Sequence, residues 1–144
     1  MDSADVSAPY PNTGGSKPRP LRDPLTFEII GAAQKVHRSL GCGFIEATHQ
    51  AALAKELSLR GLSANLQREF EVFYEGMLCG TYRPDMIVGN VVVELKAVNQ
   101  LAAPYIAQTI SYLKASGLPT GLLLNFGSPS LQVKRFRNDQ LPSV

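Results

Sequence analysis

The sequence has few cysteines and no long hydrophobic run, and each scarcity excludes a class of protein. Its 144 residues include two cysteines, Cys42 and Cys79, which are too few for a disulfide framework, and no C-x-x-C pair indicates zinc. No apolar run approaches the roughly 20 residues that a membrane-spanning helix needs. The first residues lack the basic stretch and apolar core of a secretory signal. We therefore expect a cytoplasmic protein with two reduced thiols and no membrane partner.

The chain also carries little net charge. The chain has 14 Lys+Arg against 12 Asp+Glu, a formal net charge of +2. Because nucleic-acid-binding domains usually carry a marked basic surface, any such binding must come from a local patch or from a bound metal. Hydrophobic residues make up 44% and charged residues 18%. These values are typical of a globular chain of one domain and exclude a mostly disordered one.

Composition divides the chain into a domain and two tails. Residues 1–23 contain four of the ten prolines and the Gly14-Gly15 pair, with few large apolar side chains. Such a segment cannot bury enough surface to offset its ordering entropy, so it is predicted to be a flexible tail. A partner-binding segment around Lys17–Pro20 is the less favoured interpretation. The folded domain is predicted over residues 24–139, with a C-terminal tail over residues 140–144.

Hydrophobic periodicity predicts an α/β domain. Helices are predicted from Asp23-Pro24 to Leu40, from Ile45 to Leu59, and from about Pro104 to Gly117. Strands are predicted over residues 70–74, 78–88, 91–98, 121–126 and 131–136, the last at a sheet edge. The order α-α-β-β-β-α-β-β indicates a mixed β-sheet flanked by helices.

The strongest chemical signal is a predicted hairpin closed by Gly89-Asn90. A two-residue loop makes Asp85 oppose Glu94 and Arg83 oppose Lys96, and strand alternation puts all four side chains on one face. Apolar neighbours on both faces predict a central position in the sheet, where two facing carboxylates repel each other strongly. A divalent cation on oxygen ligands would compensate them. A structural salt-bridge quartet with Arg83 and Lys96 is the alternative, and the spacing leaves both open.

Five segments of the chain, in sequence order, resemble a known family. Pro84-Asp85 followed by Glu94-Leu95-Lys96 resembles the PD-(D/E)xK nuclease signature. Gly43-Phe-Ile-Glu46-Ala-Thr-His49 resembles the G-x-x-E-x-x-Y motif of a small bacterial family in that superfamily, with His49 where the motif has Tyr. The other three segments are similar to that family's opening helix, Q-x-x-x-Y motif and closing strand: Ile29–Gly41, Gln108–Tyr112 and Leu124–Gly127. The resemblance covers about residues 25–138 and implies a restriction-endonuclease-like core.

The resemblance also implies a function and a site. It implies a metal-dependent nuclease-like domain that hydrolyses phosphodiester bonds, with DNA favoured over RNA. Mg²⁺ or Mn²⁺ would be held by Asp85, Glu94, the Leu95 carbonyl and Glu46, and Lys96 would orient or activate the attacking water. Gln108 and Tyr112 are four residues apart on one helix face. They would support this catalytic site or contact the nucleic-acid strand. The residues predicted to contact nucleic acid are His49, Arg83, Lys134 and Arg135.

Each candidate also has a structural interpretation. Glu46 could be a favourable acid in a first helical turn, Gln108 and Tyr112 could be a solvated stripe or core packing, and Lys134 could lie on a solvated edge strand. His37 is predicted to be a packing or surface residue. For the whole domain, the alternatives are a catalytically inactive nucleic-acid-binding or accessory module with the same fold, and a small structural domain. A homodimer or a partner protein stays open.

Overall fold

The computed structural model describes residues 23–141. Residues 1–22 and 142–144, which hold nearly all of the predicted N-terminal tail and part of the predicted C-terminal tail, lie outside the described residues. In chain order, the elements between residues 23 and 141 are α1 (Pro24–Leu40), α2 (Glu46–Leu59), β1 (Ala64–Asn65), β2 (Phe70–Tyr74), β3 (Met77–Tyr82), β4 (Met86–Val88), β5 (Val91–Lys96), α3 (Ala103–Ser116), β6 (Thr120–Asn125), β7 (Gln132–Arg137) and a 3-10 turn, Asn138–Gln140. None of the described helices is long and apolar enough to cross a membrane.

Local signals place the helix ends where the sequence predicts them. The Asp23 carboxylate accepts hydrogen bonds from the Leu25 N–H at 3.2 Å and the Thr26 hydroxyl at 2.6 Å, so it caps α1 with Pro24 in the first turn. Helix α3 ends at Gly117, whose φ of 69° is the left-handed conformation that glycine adopts without strain. These caps confirm the predicted bounds of α1 and α3.

A five-stranded mixed sheet forms the centre of the domain. Its strand order is β1-β4-β5-β6-β7. The β5–β6 pair is parallel and the other pairs are antiparallel. A parallel pair needs a crossover connection, which α3 supplies. The α/β architecture of a restriction-endonuclease-like core is thus confirmed, with the β4–β5 hairpin inside the sheet and β7 at its edge.

The two faces of the sheet are buried by different helices. Val93, Leu95, Leu122 and Leu124 join a cluster with α1, α2 and Phe126. Val92 and Ile87 point to the other face, where they pack with Leu113 of α3. Because side chains alternate along a strand, Glu94 and Lys96 project from the α3 face. This alternation determines which helix covers the predicted site.

The predicted continuous strand over residues 78–88 is wrong. The structure breaks it at Arg83-Pro84 into β3 and β4, and β3 pairs with β2 in a separate two-stranded ribbon. Pro84 has no N–H to donate to a ladder, and the Asp85 N–H is donated to the Glu94 carboxylate instead of to a backbone carbonyl. The chain therefore leaves the sheet at this point.

Smaller differences concern element ends. Strand β1 was not predicted, because its two residues are too few to show a period. Strand β5 ends at Lys96 instead of Val98. Leu141 packs against the cluster that contains Leu113, so packing continues past residue 139.

Candidate active site

The Asp85–Glu94 pair is held by reciprocal hydrogen bonds between the two hairpin strands. The ladder pairs Val88 with Val91 and Met86 with Val93, which confirms the register predicted from Gly89-Asn90. Beyond the ladder, the Asp85 N–H donates to Glu94 Oε2 at 2.6 Å, and the Leu95 N–H donates to Asp85 Oδ2 at 2.8 Å. Within residues 23–141, the second oxygen of each carboxylate accepts no hydrogen bond. The two acids therefore face one another with one free oxygen each.

The two acids are protonated more easily than ordinary carboxyls. Glu94 is only 2% exposed, and burial, followed by the charge of Asp85, raises its pKa to about 8. The pKa of Asp85 is also raised, by burial first and then by the charge of Glu46. The charge of Lys96 acts in the opposite direction on both, but it does not offset the burial. Burial and the charges of the neighbouring acids therefore favour the protonated form of Glu94 while no cation is bound.

The alternative of a salt-bridge quartet among Arg83, Asp85, Glu94 and Lys96 does not hold. The β4–β5 ladder ends at Met86, so Arg83 does not oppose Lys96; Arg83 lies 4.0 Å from Glu69 and is largely exposed. The Lys96 ammonium lies 4.9 Å from the centre of the Tyr105 ring of α3, a cation–π contact. Among the described residues, neither Arg83 nor Lys96 forms an ion pair with Asp85 or Glu94 within 4.0 Å. The strand breaks at Pro84, and this break is why Arg83 cannot lie opposite Lys96.

The other predicted catalytic side chains converge on this pair. Glu46 is the first residue of α2, and its charge raises the pKa of both Asp85 and Glu94. The pKa of Tyr112 is raised by burial and then by the charges of Glu94 and Asp85. Gln108 donates to the Tyr112 hydroxyl at 3.4 Å. Helices α2 and α3 therefore bring their motif residues to the same end of β5.

His49 does not reach the surface. Its side chain is fully buried, and its ring stacks on Phe126 with centroids 4.6 Å apart and planes at 20°. Its pKa is lowered, first by burial and then by the charge of His37. The expectation that His49 contacts a phosphate or titrates near neutrality therefore has no support here, because this face of α2 packs inward against the end of β6.

Lys134 and Arg135 lie on opposite faces of the sheet. Both are exposed on the edge strand β7, and neighbouring residues of a strand point to opposite sides. Glu94, Leu123 and Lys134 form one row across β5, β6 and β7, so Lys134 shares the face of the acid pair at about 10 Å, two strand spacings away. Arg135 projects from the face of α1 and α2. The two residues cannot form a single patch on the active-site side.

Sequence reasoning missed Asn125, which supports the end of β5. Asn125 is fully buried and opposes Lys96 in the parallel ladder. Its Oδ1 accepts from the Val98 and Gly127 N–H groups, each at 3.0 Å, and its Nδ2 donates to the Val98 carbonyl at 2.9 Å and to Gln132 Oε1 at 2.8 Å. One amide thereby orders the segment that follows Lys96. The available signal was a polar residue ending the apolar run 121–124.

Replacing Asn125 with alanine should destabilise the domain by about 3 kcal/mol, because it leaves several buried backbone groups without partners. Gln132→Ala is the matched control. It removes one exposed partner of the same amide and should cost about 1 kcal/mol. Urea unfolding of both variants measures the difference. Equal, small losses would show that the amide network does not hold this segment.

The donor chemistry of the acid pair fits a divalent cation. Two adjacent carboxylates in a buried, undercompensated site supply the oxygen ligands that Mg²⁺ and Mn²⁺ prefer. The Leu95 carbonyl follows Glu94 directly and is a further oxygen. Within residues 23–141, no three His, Cys, Asp or Glu side chains are close enough together to hold a metal. Glu46 therefore influences the pair through its charge and does not complete a three-acid cluster.

Comparison with known proteins identifies the family. The chain matches the family model of the PD-(D/E)XK nuclease superfamily over residues 23–136. No curated protein matches it significantly. Two solved structures are similar: an alkaline exonuclease (LHK-Exo) from Laribacter hongkongensis, with a TM-score of 0.44 and 16% identity, and LHK-Exo in complex with dAMP, with 0.41 and 15%. Each alignment covers 76% of this chain and 69% of that chain. Since the family match spans most of the chain, including Asp85, Glu94 and Lys96, the protein belongs to the PD-(D/E)XK nuclease superfamily and is a nuclease-like domain.

Proposed function

We propose that this domain hydrolyses phosphodiester bonds of nucleic acid, with DNA as the favoured substrate, and that it is a member of the G-x-x-E-x-x-Y group of its superfamily. Nucleases of this superfamily generally depend on divalent metals and act on nucleic acid. The single observation that carries the proposal is the Asp85–Glu94 pair, which is held in place by backbone hydrogen bonds without a full counter-charge. Mg²⁺ or Mn²⁺ would be held there, with the Leu95 carbonyl as a further oxygen ligand and Glu46 as a ligand through a bound water.

A bound divalent cation would neutralise charge on the phosphate and lower the pKa of a bound water. Glu94 must lose its proton before it can serve as a ligand, so metal affinity should rise as the pH approaches 8 and level off above it. Among the described residues, the Lys96 ammonium forms no ion pair within 4.0 Å. It is therefore available to orient the attacking water and to stabilise developing charge on the phosphate. Gln108 and Tyr112 would support this arrangement from α3.

A binding or accessory module without turnover is the second candidate. The observation in its favour is that only two acids are adjacent within the described residues, while Glu46 is held further away. Such a site could bind a metal weakly and still lack the ligand set for hydrolysis. Metal binding and cleavage must therefore be measured separately on the same samples.

Calorimetric titration of Mn²⁺ into the wild type and into Asp85→Asn tests the proposal. Loss of even an outer-shell partner weakens metal sites about 10–100-fold, so loss of a direct ligand should weaken binding at least about 100-fold. Asp139→Asn is the matched control, since Asp139 is exposed and its carboxylate pairs with Arg137 at 3.3 Å; it should bind Mn²⁺ like the wild type. Cleavage of plasmid and single-stranded DNA is then measured on all three proteins.

The outcomes separate the candidates. Binding and cleavage that both disappear in Asp85→Asn support the nuclease. Binding without cleavage by the wild type favours the accessory module. If the wild type binds no Mn²⁺, the proposed metal site is wrong. The proposed domain limits, cytoplasmic residence and a homodimer or partner protein remain predictions, as does the reduced state of Cys42 and Cys79, which are both exposed.

A further inference from the structure

The side chain at the last position of the G-x-x-E-x-x-Y segment forms no hydrogen bond among the described residues. His49 is 0% exposed, and neither Nδ1 nor Nε2 has a hydrogen-bond partner there. Buried polar atoms without partners are rare in folded proteins, because they lose hydration and gain nothing in exchange. Whatever His49 contributes to the domain is therefore contributed by its ring as a flat apolar surface.

That ring connects α2 to the strands of the active site. His49 stacks on Phe126, which immediately follows β6, and Phe44 packs edge-on against His49 with centroids 6.2 Å apart. The Phe126 N–H donates to the Lys96 carbonyl at 2.8 Å. One ring stack and one hydrogen bond thus lead from the first turns of α2 to the end of β5.

Helix α2 has little else to hold its first turn. Ile45 occupies the N-cap position without a side-chain hydrogen bond, and both Phe44 and Ile45 are exposed. Uncapped helix ends fray readily. Among the α2 residues, His49 is the first buried one, and it lies three positions after Glu46 on the same helix face. It is the anchor nearest to Glu46.

We propose that His49 is a positioning residue, whose ring, stacked on Phe126, fixes the first turn of α2 and so holds Glu46 toward Asp85 and Glu94. This inference rests on the proposed function in taking Glu46 to assist metal binding. The imidazole acts as an aromatic ring and not as a hydrogen-bonding or titrating group. Phenylalanine or tyrosine should therefore replace it, and alanine should not.

His37 provides the matched control. It packs on the same Phe126 from the other helix, with centroids 6.2 Å apart, and it is also buried. Its Nε2 contacts the Ser128 carbonyl at 2.9 Å, and α1 carries no candidate site residue. His37→Ala and His49→Ala both remove a ring from Phe126, but only His49→Ala should loosen Glu46.

Two measurements test the inference, one of them without metal. In an α-helix the Gln50 N–H bonds to the Glu46 carbonyl, so its hydrogen exchange reports how firmly Glu46 is held. In the metal-free protein, we expect His49→Ala to lower Gln50 protection at least about tenfold beyond its change in global stability, and His37→Ala to leave that local protection unchanged. Calorimetry should show Mn²⁺ affinity about 10-fold weaker in His49→Ala and unchanged in His37→Ala.

The conservative variants and a double mutant complete the test. His49→Phe and His49→Tyr should keep the wild-type Gln50 protection and the wild-type Mn²⁺ affinity. His49→Phe should also unfold at the same or a higher urea concentration than the wild type. Glu46→Gln combined with His49→Ala should weaken Mn²⁺ binding no further than Glu46→Gln alone, because both changes remove the same contribution.

Three results would overturn the inference. They are a loss of Mn²⁺ affinity in His49→Phe, equal effects of His37→Ala and His49→Ala, or additive losses in the double mutant. His49→Phe decides the matter even if the alanine variants fail to fold. If the wild type binds no Mn²⁺, the proposed function fails, while the metal-free exchange comparison still decides the role of His49.

Discussion

Replacing Glu94 with glutamine should make the metal-free domain more stable at pH 8 while it abolishes metal binding. Burial and the charge of Asp85 raise the pKa of Glu94 from its usual 4.5 to about 8. At about 1.4 kcal/mol per pH unit, this interval corresponds to on the order of 5 kcal/mol of stability. Glutamine keeps the shape and can still accept from the Asp85 N–H, but it never carries the charge.

The sign of the pH dependence follows from proton linkage. Between pH 4.5 and 8 the unfolded chain has released the Glu94 proton and the folded domain still holds it. The free energy of unfolding of the wild type should therefore be highest at low pH within this window, fall as the pH rises through it, and level off above 8. Because the pKa of Asp85 is also raised, its titration lowers the free energy of unfolding in the same direction as the pH rises. Most of this slope should be absent from Glu94→Gln.

Urea unfolding of the metal-free proteins at pH 5, 6, 7 and 8 measures this slope. Glu71, an exposed residue of the β2–β3 ribbon, supplies the control, since Glu71→Gln should reproduce the wild-type curve. Added Mn²⁺ should restore stability at pH 8 to the wild type and not to Glu94→Gln, because a ligand stabilises only the state that binds it. A wild-type curve without slope between pH 5 and 8 would contradict the assignment of a neutral, buried Glu94.

Replacing Lys96 with glutamine should lower the cleavage rate about 10²–10⁴-fold while Mn²⁺ binding stays within about 10-fold of the wild type. The reason is the position of the Lys96 ammonium, which lies over Tyr105 and forms no ion pair with the acids within 4.0 Å among the described residues. The backbone hydrogen bonds of Asp85 and Glu94, and not Lys96, hold the carboxylates together. On the proposed function, we therefore expect the charge of Lys96 to matter for the reaction and not for the ligand geometry.

Single-turnover cleavage at saturating Mn²⁺, together with calorimetry, separates these two roles. Lys114→Gln is the matched control: Lys114 is an exposed lysine in the last turn of α3, and its loss should change neither quantity appreciably. Lys96→Arg should recover part of the rate, because it keeps the charge but not the compact ammonium. A Lys96→Gln protein that cleaves at the wild-type rate, or one that no longer binds Mn²⁺, would refute the separation.

Short-range features of the chain account for what could be predicted. Asp23-Pro24 and Gly117 end their helices through their own backbone and side-chain geometry, and Gly89-Asn90 sets the register of the hairpin. Each effect acts within a few residues, so a linear pattern contains it. The adjacency of Asp85 and Glu94 follows from that register alone, which is why the centre of the candidate site was predictable.

Long-range contacts account for what could not be predicted. His49 is buried because Phe126, from the far end of the domain, covers its ring. Asn125 orders its surroundings because Val98, which lies 27 residues away in the sequence, meets its amide through both its N–H and its carbonyl. Nothing within a few residues of either position indicates these partners.

The sequence by itself determined the α/β architecture, the helix ends, the hairpin register and the facing acids. Only the tertiary structure decided that the chain leaves the sheet at Pro84, that Arg83 pairs with Glu69 and leaves the acids undercompensated, and that Lys134 shares their face. The physical reason is the distance along the chain over which each interaction acts. Periodicity, capping and turn geometry act between near neighbours, whereas burial and charge compensation depend on which distant elements meet.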